Sequence, residues 1–346
     1  MRPGDASARR PGAAATSARR RAFSAGRRDP IPLREHPIPI PVNANASVTE
    51  VHTLPQPPAD TGDDDHRSLL QRIVSRWSAL WGVRGLVREF ALRDLRVRYH
   101  QAVLGALWAL LMPVLVVLTG LVLRLVVAQS SGVGDGIASL GGIVVRAVGW
   151  SFFAGALGFA TSSLTASAVL VGKIYFPREA LPVATVVAQC VDLAVGVLMA
   201  SVVLLFLGVD PGMQMLWAVP LLVVLVLLTA GVSLLAACAN LFFRDVRYLV
   251  QVTLTFGIFF TPVFYDSTRL GARGASLVML NPLAPVLEGL RLSVADGHSL
   301  LQPLVVDGIT AWSPWMLFYP AVFAVACLTL AALLYDRLEL TFAEYL

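Results

Sequence analysis

Charges and aromatic rings that interrupt apolar sequence are the residues with chemical potential in this chain. Asp192 and Arg146 lie inside separate uncharged runs, at depths of about 16 and 9 Å for helical segments crossing a membrane. A charge so placed is costly, so it must find a partner or face a polar cavity. The expectation is an Arg146 to Asp192 ion pair between adjacent helices, serving as a packing bridge or as a gate. Arg93, Arg96, Arg98 and His100 stand just ahead of another apolar run. Guanidinium groups there suit an anionic headgroup, although topology signalling and anionic lipid account for the same charges. Between Gly172 and Pro182 lie Lys173, Tyr175, Phe176, Arg178 and Glu179. Prolines 177 and 182 fix the ends of that segment, its aromatic pair offers a plug for a hydrophobic cleft, and its charges supply contacts to a soluble partner. An interfacial loop obeying the positive-inside rule is the plainer account.

Aromatic residues gather in two places. Phe256, Phe259, Phe260 and Phe264 are spaced as a helical stripe, and Trp150, Phe152, Phe153 and Phe159 cluster in an earlier run. Lipid-facing or packing roles compete with a role in lining a path. Trp312, Trp315 and Tyr319 fit an interfacial belt, and Arg124 is placed to snorkel to the outer surface. Cys190, Cys238 and Cys327 have no partner at metal-ligand spacing and read as small packing residues. No metal site and no catalytic constellation emerge. Gly172-Lys173 is followed by Ile174 and lacks the upstream glycine of a phosphate-binding loop, so that pair does not read as a nucleotide site. Asp266, Glu288, Asp296 and Asp307 are the carboxylates that an enzyme reading needs to converge on one face.

The elements that must position these residues follow from composition. Hydrophobic residues make up 56 % of the chain and charged ones 14 %, more apolar surface than a soluble core needs. The expectation is an all-α polytopic membrane protein, with spans at 103–128, 138–168, 181–207, 216–239, 248–265 and 313–335. Residues 1–66 lack apolar periodicity and read as a disordered cytoplasmic tail. Residues 67–102 read as amphipathic helices on the membrane surface, broken near Gly82 and Gly85. Most of the basic residues precede the first span, which sets the N-terminus in the cytoplasm rather than marking a nucleic-acid arm. Six crossings return the C-terminus to the same side. Residues 266–312 are too broken for another crossing and are expected to form short outer-face helices, although Arg269, Arg273 and Arg291 there run against the charge rule.

Four stretches in this order resemble the permeases of type-2 ABC exporters for polysaccharides, the family of the O-antigen and teichoic-acid exporters. They are RDLRVRYHQAVLGALWALLMP at 93–113, GKIYFPREALP at 172–182, NLFFRDVRYLVQ at 240–251 with FFTPVFY at 259–265, and NPLAPVLEGLR at 281–291; the ending LELTFAEYL is similar too. The resemblance covers about 80 to 346 and implies a homodimeric six-span domain over 103–346 in a bacterial inner membrane. It implies two copies of a separate ATPase that binds ATP and Mg, and a coupling loop at 170–182. It also implies a glycan on a polyprenyl pyrophosphate carrier, whose headgroup the Arg93 to His100 group would receive. Aromatic faces then suit a moving polymer, because stacking on sugar rings is weak and repeatable. The alternatives are a type-2 ABC exporter of drugs or small lipids, and a membrane enzyme acting on polyprenyl-linked sugars.

Overall fold

In the computed structural model the described residues are 69–100, 111, 114–122, 125, 138–168, 176–210, 212–306 and 308–338. The expected tail lies outside them, as do most of the first expected span and the side chains of Lys173, Tyr175 and His100. Helix α1 (Leu69–Gly82) passes into α2 (Arg84–His100) through Val83 alone. The expected break is therefore a single-residue turn, because the Val83 amide still donates to the Ala79 carbonyl at 3.2 Å and Gly85 is taken into α2.

Apolar sequence then builds α3 (Ala138–Thr161), α4 (Ala180–Phe206), α5 (Ala218–Phe242, entered through a 3-10 turn at Met213–Trp217) and, at the far end, α9 (Trp315–Leu338). Among the described residues these four are long and apolar enough to cross a membrane. The fifth expected span is shorter than the sequence pattern indicated. Its helix, α6, is Val246–Phe260, and 15 residues rise only about 22 Å. Pro262 explains the stop, since the residue before a proline is driven out of the helical region, and Thr261 sits at φ −110°, ψ 136°.

Residues 266–312 form short helices: a 3-10 turn at Ser267–Leu270, α7 (Gly271–Met279) and α8 (Leu283–Val294). They also depart from an all-α fold. Strands β1 (Leu304–Val306) and β2 (Ile309–Trp312) pair antiparallel, Val306 opposite Ile309, with Gly308 supplying a φ of 75° at the turn. This hairpin delivers Trp312 into the core, fully buried, with its indole N–H donating to the Leu300 carbonyl at 2.9 Å. Trp312 is thus no belt residue, whereas Trp315 is exposed and the Tyr319 hydroxyl reaches the Leu280 carbonyl at 2.6 Å.

Two apolar clusters hold the bundle. One joins α3, α4, α5 and α8 through Val148, Leu193, Leu225 and Leu287; the other joins α2, α4, α5 and α9 through Ala91, Ala184, Ala237 and Ala331. Small residues dominate the second, which lets backbones approach closely where lipid removes the usual hydrophobic drive. A Cβ on Gly231 would lie 2.8 Å from the Cys327 Cβ and 3.2 Å from the Leu328 amide nitrogen. The three cysteines are free, Cys238 and Cys327 buried among these contacts.

Candidate functional site

Helix α2 runs alongside α4 in the same direction, and a stripe of its side chains meets a matching stripe there. The Phe90 and Phe176 rings meet edge to face at 5.6 Å between centroids, and the Thr185 hydroxyl donates to Asp94 Oδ2 at 3.3 Å. Further along, Arg98 Nη1 donates to Gln189 Oε1 at 2.9 Å and to Asp192 Oδ2 at 2.7 Å. The Tyr99 hydroxyl donates to Asp192 Oδ1, and Gln189 Nε2 donates to Asp192 Oδ2 at 2.7 Å. Phe90, Asp94 and Arg98 recur every four residues, as do Thr185 and Gln189, with Asp192 three further on, so each set lies on one helix face. From Ala180 to Asp192 the rise is about 18 Å. Helix α2 is therefore seated along an apolar helix, where its polar residues Asp94, Arg98 and Tyr99 meet partners.

The expected Arg146–Asp192 pair does not form. Asp192 takes the three donors just named, and Arg146 turns the other way. Fully buried on α3, Arg146 donates from Nη1 to Glu288 Oε2 at 3.1 Å and to the Tyr265 carbonyl at 3.0 Å, and from Nη2 to Asp266 Oδ1 at 3.1 Å. Arg291 completes the clasp, reaching Glu288 Oε1 at 2.8 Å and Asp296 Oδ2 at 2.6 Å. Burial pushes the Asp296 carboxyl up against the opposing pull of Arg291. Asp266, Glu288 and Asp296 do converge, then, but each faces a guanidinium, which makes the cluster a clasp between α3, α8 and the turn at 265–266. Asp307 lies outside the described residues. Net attraction between partners so close depends on every member being present.

Beside the α2–α4 ladder lies a cavity of about 670 Å³. Arg98, Tyr99, Gln189 and Asp192 form its polar end, Trp150, Phe152 and Phe159 contribute its aromatic wall, and Gln251 of α6 reaches it from the far side. The Arg98 guanidinium lies 4.2 Å from the Phe159 ring centroid, a cation–π contact. Of the aromatic candidates on α3, Trp150, Phe152 and Phe159 reach this cavity, while the Phe153 ring lies 6.0 Å from that of Trp150. The other four do not form one wall: α6 ends at Phe260, so Phe256, Phe259 and Phe260 remain exposed while Phe264 turns into the core, 6 % exposed.

The segment before α4 is also used differently from expectation. Phe176 is 5 % exposed and covered by Phe90, so its ring packs within the chain rather than projecting as a plug. Glu179 is buried and accepts from Arg76 Nη1 at 3.4 Å; Arg76 Nε donates to Asp336 of α9 at 3.1 Å, and Arg178 is half-buried. Helix α1 thereby ties the foot of α4 to the foot of α9. On α2, Arg93 is exposed, pairs with Asp94 at 3.0 Å and lies 5.2 Å from the Phe90 ring; Arg96 is exposed. Arg76, Asp336, Tyr99 and Gln189 were missed from the sequence. Gln189 and Asp192, three apart in an otherwise apolar run, were the one available signal.

Comparison with known proteins fits this arrangement. The ABC-2 type transporter family matches residues 86–294, from α2 through α8. An O-antigen export system permease protein RfbA of Klebsiella pneumoniae is 26 % identical over 261 residues, covering 73 % of this chain and 92 % of that protein. A second from the same organism is 24 % identical with the same coverage, and one from Myxococcus xanthus is 26 % identical over 69 % of this chain and 93 % of its own length. Apolar helices long enough to span, a family match over more than half the sequence and relatives matched over nearly their full length agree: the chain belongs to the ABC-2 type transporter family, as a membrane-embedded transporter subunit that is not itself the catalyst.

Proposed function

We propose that this chain is the permease of an ATP-driven exporter that carries a lipid-linked polysaccharide from the cytoplasmic to the outer face of a bacterial inner membrane. The observation that carries this reading is the match to O-antigen export permeases over 92 % of their length; the cavity and its polar ladder fall within residues 86–294, which match the ABC-2 type transporter family. A homodimer with six spans per subunit supplies the path. Two copies of a separate ATPase, holding ATP and Mg, supply the force.

The ladder supports a defined route for that force. A push on the segment around Phe176 and Glu179 bears directly on Phe90 of α2 and on Arg76 of α1, and through α4 on the cavity. Lys173 and Tyr175, next to that segment in sequence, remain the proposed contacts to the ATPase, with Arg178 beside them. The anionic headgroup of the carrier falls to Arg93 and Arg96, which are exposed, and less to Arg98, which Asp192 already holds. Both chain ends lie on the cytoplasmic side in this scheme.

Deleting the chain from its host tests the reading. The expected result is loss of surface polysaccharide with lipid-linked glycan accumulating inside, restored by the intact gene. Unchanged surface glycan together with altered efflux of drugs or short lipids would instead establish the small-molecule exporter.

A further inference from the structure

We infer that the cavity between α2, α3 and α4 receives uncharged glycosyl residues, and that Asp192 sets this preference by neutralising Arg98. The inference rests on the polysaccharide-permease reading and names the kind of sugar that reading leaves open.

Among the described residues, the charged side chains lining the cavity are Arg98 and Asp192, of opposite sign and 2.7 Å apart. Asp192 accepts from three donors, and the face of Arg98 lies against Phe159. Within the pair the two charges cancel, so an occupant meets no net charge from these two side chains. The rest of the described lining is an aromatic wall of Trp150, Phe152 and Phe159, aliphatic side chains, the Tyr99 and Ser151 hydroxyls and the amides of Gln189 and Gln251, in a volume typical of small-molecule sites. Aromatic faces accommodate the C–H faces of a pyranose, and the amides accept or donate to its hydroxyls. A carboxylated or phosphorylated sugar entering the same space loses its hydration and gains no countercharge, which opposes binding. Without the Asp192 carboxylate, Arg98 becomes an uncompensated cation at the cavity's polar end and the preference inverts.

Photolabelling of the full chain in lipid nanodiscs tests this, using decyl β-glucoside, decyl glucuronide and decanol that carry the same diazirine beside the polar end. Labelled peptides are mapped by mass spectrometry. The wild-type chain is expected to incorporate the glucoside within residues 148–159 at least tenfold more than the glucuronide or decanol. Asp192→Asn raises glucuronide labelling there at least tenfold, and the double variant Arg98→Gln with Asp192→Asn returns to the wild-type preference, which separates a charge effect from damage to the fold. An unchanged preference in Asp192→Asn overturns the role of Asp192. Equal labelling by decanol and glucoside, or no labelling at 148–159, overturns the site. Export of polysaccharide by the wild-type chain with its ATPase is measured in parallel; its absence overturns the permease reading while the labelling result stands on its own.

Discussion

Arg146 shows how one side chain in an apolar run organises its surroundings. It is fully buried and touches Glu288, Asp266 and the Tyr265 carbonyl, so its removal takes one of two guanidinium partners from the buried Glu288 and leaves Asp266 with the longer 3.9 Å contact to Arg269. Arg146→Gln is expected to destabilise by about 3–5 kcal/mol, the range for breaking one side of a buried pair. Thermal unfolding in detergent reads this as a large fall in midpoint. Arg93→Gln, by contrast, alters an exposed pair with Asp94 and should leave the midpoint nearly unchanged while lowering retention on anionic-headgroup vesicles. A large loss of stability in Arg93→Gln would show that its pairing is structural.

Helices α2 and α4 work as a joined pair because Asp94 and Arg98, on successive turns of α2, find partners on α4, while Phe90 packs on Phe176 just before it. With the Thr185 hydroxyl 3.3 Å from the Asp94 carboxylate, Asp94→Cys combined with Thr185→Cys should cross-link under mild oxidation without loss of folded protein. Failure of that bridge to form, with both thiols reactive, would argue that α2 leaves α4 in the membrane. Close packing of α5 on α9 makes a second prediction. Gly231→Val places branched carbons where the Cys327 Cβ and the Leu328 backbone already stand, so α5 and α9 must separate. The folded yield should fall sharply, and Gly231→Ala should fall between Val and wild type.

For the assembled transporter the consequence lies in coupling. Phe176 is buried under Phe90, so in the transporter proposed above it would pass movement to α2 rather than contact the ATPase. Phe176→Ala is therefore expected to preserve ATPase association and hydrolysis while export per ATP falls several-fold. Lys173→Glu, in the sequence next to it, should weaken association itself. Co-purification and turnover measured on the same vesicles separate the two; loss of association in Phe176→Ala would place its ring at the partner interface after all.

The sequence by itself determined the solvent of this protein: uninterrupted apolar length and the broken 266–312 segment are local properties that dictate long helices, a membrane and short helices between 266 and 312. It also showed that Asp192 and Arg146 must have partners, because an isolated charge in such a run is too costly. Which partners they have was decided only by the fold. Arg98 is 94 residues from Asp192 and Glu288 is 142 from Arg146. No periodicity reports which face of one helix turns toward another, so the assignment waits on packing. Small residues at α5 and α9 and the stop at Pro262 fixed how the helices lie together. That arrangement gave one charge to a clasp and the other to the wall of a cavity.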